Sequence, residues 1–309
     1  MNAIHHVTAM SGKATRNLDF YSRVLGMRFV KKTVNFDDPG TYHFYFGDGS
    51  GNPGSIVTFF PWERATQGVR GVGEIEETWL RIPQSALGFW AHRFIELGVQ
   101  HESITEQFGR KVLRFEDPDG MKFALVTTPG AETEEAWEVS GIEARNAIRG
   151  VDSVTLTVQD SGPTASILTD VFGFNLAGSE GGIERYTVSE GSGVGEAVQL
   201  HPVGTAEAGR LGRGSVHHVA FRAKSDAEQA ELVEKLSKQF GIQTTPQKDR
   251  DYFRSVYFRE PGGVLFEIAT DDPGFAVDEP FEDLGTSLKL PKFLEPRRAA
   301  IEGMLPALG

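Results

Sequence analysis

The strongest constraint on this chain is internal: a strand, a helix, a Gly-marked turn and further strands recur in the same order about every 70 residues along its 309 positions. A unit of that size exposes apolar faces it cannot cover alone, so the copies must pack on one another. Copy one opens with Ile4-His5-His6-Val7-Thr8-Ala9 and continues through a helix whose Leu18, Tyr21 and Leu25 form one stripe at i, i+3 and i+7, ended by Gly26. Strand-like runs at 28–33, 42–46 and 55–60 follow, separated by turn clusters rich in Asp, Pro and Gly.

Copy two spans about 77–128, with a helix over 85–97, a turn at Gly98 and a strand pair flanking 115–120. Copy three opens at Val151, and its Val171-Phe172-Gly173-Phe174 aligns with Val24-Leu25-Gly26-Met27. Copy four opens with Val216-His217-His218-Val219 and carries a helix over 226–240 with Leu232, Val233, Leu236 and Phe240 on one stripe. The expected fold is α+β: four βαβββ modules forming two open-barrel domains. The expected division is a first pair of modules at 1–135, a linker at 136–150, a second pair at 151–275 and a tail at 276–309 with a short helix.

The repeats also act as a filter on chemistry. Copies one and four carry His6 and His218 where copy three has Ser153 and copy two has Glu77, and copy four carries Glu267 where copy two has Ala124. Glu267 sits in the strand-like run Val264-Leu265-Phe266-Glu267-Ile268, on the face opposite Phe266 and Ile268, where a carboxylate needs a partner. Two imidazoles and one carboxylate around open coordination positions are the ligand set of non-haem Fe(II) oxygenases. One complete set survives among the four modules, which predicts a single metal held by His6, His218 and Glu267 in a cavity shared by copies one and four.

Alternation assigns Val7, Val219 and Phe221 to the helix-packing face, so His6 with Thr8, and His218 with Ala220, look into the cavity. His5 and His217 then lie on the other face at the strand mouths, or fold over behind the ligands. His43, His92, His101 and His201 have no partners in the sequence and read as ordinary histidines. Tyr257 lies ten positions before Glu267, an even spacing that puts both on one face of a regular hairpin; a Tyr packed at a strand edge fits the pattern equally well.

Composition removes other classes. With 39% hydrophobic and 24% charged residues the chain is of ordinary globular make-up, and a net charge of -12 argues against nucleic-acid or anionic membrane partners. The absence of cysteine excludes disulfides, thiolate nucleophiles and Cys-based zinc sites. The N-terminus enters a strand pattern at once, without a charged and then apolar leader, and no window reaches the ~18 apolar residues of a spanning helix. A cytoplasmic location is expected.

At Tyr257-x-x-Glu260-Pro261-x-Gly263-x-x-x-Glu267 the sequence resembles the extradiol dioxygenases of the vicinal oxygen chelate superfamily, which also holds glyoxalase I and bleomycin-resistance proteins. The runs 28–33, 42–46 and 249–263 resemble more closely its hydroquinone-cleaving branch, along the chain from first strand to C-terminal helix. The resemblance implies paired βαβββ modules, and Fe(II), or Mn(II), on His6, His218 and Glu267. It also implies His5, Thr8, His217, Arg250 and Tyr257 around the substrate, with His217 the first choice of acid or base. The implied reaction is ring cleavage of a small aromatic diol with O2. A glyoxalase-like lyase or isomerase using another metal, and a non-catalytic protein binding aromatic or quinone-like ligands, are the alternatives on the same fold; homo-oligomers through edge strands stay open.

Overall fold

The computed structural model describes residues 2–188 and 193–308. Its first module comprises β1 (Ile4–Ser11), α1 (Ala14–Asp19), β2 (Arg28–Asn35), β3 (Asp38–Gly47) and β4 (Ile56–Pro61). The second contains β5 (Glu74–Ile82), α2 (Leu87–Leu97), β6 (Thr105–Gln107), β7 (Arg110–Glu116) and β8 (Lys122–Thr127). The third contains β9 (Val151–Val158), α3 (Ser161–Ser166), β10 (Asn175–Glu180), β11 (Ile183–Thr187) and β12 (Ala197–Pro202). The fourth contains β13 (Ser215–Ala223), α4 (Asp226–Phe240), β14 (Lys248–Asp249), β15 (Arg254–Arg259) and β16 (Leu265–Thr270). The last helix, α5 (Arg298–Met304), packs near β3 through Ile301, which shares a small apolar cluster with Val34, Leu290 and Leu294.

Two curled eight-stranded sheets result, α+β as expected, but they do not divide at the linker. The order β14-β15-β16-β13-β1-β4-β3-β2 joins modules four and one, and β10-β11-β12-β9-β5-β8-β7-β6 joins modules three and two. Pairing therefore crosses 136–150 rather than staying within 1–135 and 151–275. The central seam of each sheet lies between modules that are not consecutive, with β1 antiparallel to β13 and β5 antiparallel to β9. The linker is itself packed down: Arg149 donates to the carbonyls of Ala131, Ala144 and Ala147, and Ile142 is fully buried.

The helix-side faces of both sheets share one core. Tyr21 packs on Phe59 of the first sheet at 4.3 Å and on Phe123 of the second at 5.9 Å, while Phe172, just after α3, stacks on Phe221 at 4.4 Å. α4 spans the expected residues because Ser225 caps its first turn by accepting from Glu228 N–H, and Gly241, at φ +65°, ends it in the left-handed region. The tail closes over β2: Lys31, fully buried, pairs with Asp278 at 2.5 Å and Glu279 at 2.6 Å. Among the described residues no helix is long and apolar enough to cross a membrane.

Candidate metal centre and its pocket

The inner face of the first sheet holds a cavity of about 240 Å3. His6 comes from β1, His218 from β13 and Glu267 from β16, three adjacent strands, and Ala220 is the register partner of both His6 and Glu267. All three side chains are buried, and one ligand atom from each lies within 4.8 Å of the others. Glu267 Oε2 is 2.8 Å from His218 Nε2 and 3.4 Å from His6 Nε2. Yet His218 Nε2 and Glu267 Oε2 make no aligned hydrogen bond, so they face a common point rather than each other. Buried polar atoms left in that arrangement fit a divalent cation between them. The other carboxylate oxygen, Oε1, accepts from Ser255 at 2.5 Å.

The pairing register explains the doubled histidines. His5 is skipped between the pairs Ile4–Phe221 and His6–Ala220, and His217 is skipped between Thr8–His218 and Ala9–Val216. Each is therefore the extra residue of a β-bulge, and a bulge breaks the strict alternation of faces. Each ring folds over onto its neighbour: His5 Nδ1 lies 2.9 Å from His6 Nδ1, and His217 Nδ1 2.8 Å from His218 Nδ1. A metal at Nε2 of His6 and His218 requires the proton on their Nδ1 atoms, with His5 and His217 accepting it. His217 lines the cavity; His5 does not, and sits behind His6 with its ring 5.1 Å from Phe253.

Burial pushes His218 below its ordinary range, His217 down to about 3, and His5 and His43 well below, so these rings are neutral at pH 7. Burial alone would raise the Glu267 carboxyl, but its close approach to the His6 and His218 rings outweighs burial and holds it well below the ordinary carboxylate range. Tyr257 is the direct cross-strand partner of Glu267, and burial, then the Glu267 charge, push its phenol up, so it keeps its proton. Arg250 donates from Nε to the Tyr257 hydroxyl at 3.3 Å. Tyr257, Arg250, Thr8 and His217 all line the cavity with the three candidate ligands.

The remaining wall was not anticipated from the sequence. Phe253 packs on His6 at 5.0 Å, and His43, expected to be ordinary, lines the cavity with Tyr45. His43 Nε2 lies 2.9 Å from Thr58 Oγ1, which donates to Thr8 Oγ1, while Tyr45 OH lies 2.9 Å from His43 Nδ1. Because the Thr58 hydroxyl donates onward, His43 must donate from Nε2 and accept from Tyr45. A signal existed: Tyr45 faces Thr58 on paired strands as Tyr257 faces Glu267, and carrying the repeat comparison into these strands exposes the match. His92, His101 and His201 lie outside the cavity.

The equivalent positions in the second sheet hold ion pairs and a hydrogen bond in place of the ligand set. Glu77 pairs with Arg114 at 3.2 Å, Asp152 with Arg110 at 2.5 Å and Arg185 at 3.1 Å, and Gln199 donates to Ser153 Oγ at 2.9 Å. Glu77 lines a separate cavity on the second sheet, with Arg114 and His201, and not the one that holds His6, His218 and Glu267.

Comparison with known proteins agrees with this architecture. The Glyoxalase/Bleomycin resistance protein/Dioxygenase superfamily matches residues 3–125 and 150–268. The chain is 45% identical over 305 residues to a Bacillus subtilis protein named "Putative ring-cleaving dioxygenase MhqE", covering 99% of this chain and 98% of that one. It is 33% identical over 300 residues to the chlorohydroquinone/hydroquinone 1,2-dioxygenase of Sphingobium indicum, covering 96% and 93%. A crystal structure titled as a putative dioxygenase from Bacillus subtilis superposes with a TM-score of 0.93 at 41% identity, over 99% of this chain and 97% of that one. Fourfold repeat, two curled sheets and full-length likeness together make this chain a member of the glyoxalase/bleomycin resistance/dioxygenase superfamily, with the vicinal oxygen chelate fold.

Proposed function

We propose that the protein is a ring-cleaving dioxygenase of the extradiol type, acting on hydroquinone-type substrates and placing both atoms of O2 in the product. His6, His218 and Glu267 hold iron(II), with manganese(II) the next choice, since imidazole and carboxylate suit both ions. The observation that carries the proposal is the convergence of those three buried ligand atoms on one point at the floor of an apolar-walled cavity. The relatives named as ring-cleaving dioxygenases support it.

A redox-active metal there would supply the route by which ring electrons reach O2. The chain's own groups bind and orient. Phe36, Phe60, Trp62 and Phe253 wall the cavity and take the ring. The Tyr257 phenol, protonated and held by Arg250, donates to a ring hydroxyl, and Arg250 offsets negative charge on that oxygen. His217, with Nδ1 accepting from His218, keeps its proton at Nε2, and its depressed basicity makes it a donor rather than a proton acceptor. Thr8 Oγ1 already accepts from Thr58, so its own proton is available to a bound oxygen.

The test is O2 uptake by protein loaded anaerobically with Fe(II) and offered unsubstituted, methyl- and chloro-hydroquinones, with catechol for comparison. Uptake with hydroquinones that is lost in Glu267→Ala is expected. Absence of uptake with every phenol, in protein holding one iron per chain, refutes the proposal.

A further inference from the structure

The outermost strands of the first sheet are β2 and β14, and the sheet curls until side chains near their ends meet across the cavity mouth. The turn after β2 presents Asp37, whose Oδ2 lies 3.1 Å from Arg250 Nη2 and 4.0 Å from Lys248 Nζ. The same guanidinium donates to Tyr257 and lies 5.5 Å from the centre of its ring. Among the described residues Arg250 is the one Lys or Arg side chain that lines the cavity. The cavity's permanent cation is therefore already engaged by a carboxylate that the protein brings to the mouth.

A hydroquinone bearing a ring carboxylate would need that guanidinium, because a buried carboxylate requires a partner and Arg offers the matching fork. It would find the Nε and Nη2 edge of the fork already engaged by Tyr257 and Asp37, and a like charge beside it. Resting on the hydroquinone reading above, we propose that Asp37 is a specificity-determining residue: it holds Arg250 and opposes a ring carboxylate, reserving the cavity for uncharged hydroquinones. Two like charges roughly 6 Å apart at a half-wetted mouth are worth about tenfold in selectivity.

Asp37 is exposed in a turn, so Asp37→Asn removes the charge with little change of volume and little demand on the fold. The measurement is kcat/KM for 2,5-dihydroxybenzoate relative to methylhydroquinone in iron-loaded wild type, Asp37→Asn and Asp37→Glu. Asp37→Asn is expected to raise that ratio about tenfold or more, and Asp37→Glu, which keeps the charge, to leave it within about twofold. In the wild type the ratio should rise with ionic strength as the exposed carboxylate is screened. An unchanged ratio in Asp37→Asn that still consumes methylhydroquinone overturns the inference. If the wild type consumes no hydroquinone, the functional reading fails separately. The inference then stands or falls on calorimetry, where Asp37→Asn must bind 2,5-dihydroxybenzoate about tenfold tighter than wild type.

Discussion

Adding a divalent metal to metal-free protein is expected to raise its melting temperature by about 4 °C at a hundredfold excess over Kd. Binding only to the folded form stabilises by RT ln(1 + [L]/Kd), about 2.7 kcal/mol at that excess. A chain of 309 residues, at about 2.1 cal/mol/K per residue, unfolds with an entropy near 0.65 kcal/mol/K, and the quotient is about 4 °C. Glu267→Gln should remove most of the shift. The amide keeps the volume and can accept from Ser255 as Oε1 does, but it takes away the anionic oxygen facing His6 and His218. Differential scanning calorimetry under argon, with Fe(II), Mn(II) or chelator, reads the effect directly. An equal shift in wild type and Glu267→Gln would refute the assignment of this carboxylate, because the ion would then be binding elsewhere.

Two further outcomes are expected. Asp152→Ala removes the fully buried carboxylate that bridges Arg110 and Arg185, and should cost about 3–5 kcal/mol in urea unfolding; a loss under 1 kcal/mol would show that the second sheet's ion cluster contributes little. Burial pushes the Asp117 carboxyl up to about 6, so between the ordinary Asp value near 4 and pH 6 the folded state keeps a proton that the unfolded state has released. Stability from this group therefore falls as pH rises through that window, by about 3 kcal/mol. The stability of wild type relative to Asp117→Asn should fall by about 2–3 kcal/mol from pH 4 to pH 7, and a pH-independent difference would contradict the assignment.

What the sequence made legible was whatever local spacing encodes. The helix from Asp226 to Phe240 carries its own stripe, a Ser cap and a Gly stop, and its limits could be read directly. The helices of copies one and three were less legible: α1 and α3 are each six residues long and continue as a wider π-helical turn, at Phe20–Val24 and Ile167–Val171. The choice of partner across each sheet was legible only through the ligand set, which places copies one and four around one cavity, because nothing else local in β1 specifies β13 rather than a strand of module two. The candidate site divides in the same way. His6 and His218 stand out because the other two modules carry Ser153 and Glu77 in their place, and Glu267 because module two carries Ala124. The folding over of His5 and His217 depends on two bulges that exist only once β1 and β13 are in register. Arg250 was placed near the substrate by its run 249–263, but Asp37 meets it only through the curl of a whole sheet, and no sequence neighbour of Asp37 announces it.

The seam between β1 and β13 also sets a clock on maturation. His6 and His218 are 212 residues apart, and a ribosome adding ~5–20 residues per second leaves ~10–40 s between them. Through that interval the N-terminal strand has β4 but lacks its other neighbour, a long unpaired edge in a nascent chain. Contacts of such high sequence separation also form slowly after release. The emerging polypeptide therefore cannot bring His6, His218 and Glu267 together until it is nearly complete, and the stage at which it is exposed to aggregation precedes the stage at which the candidate site exists.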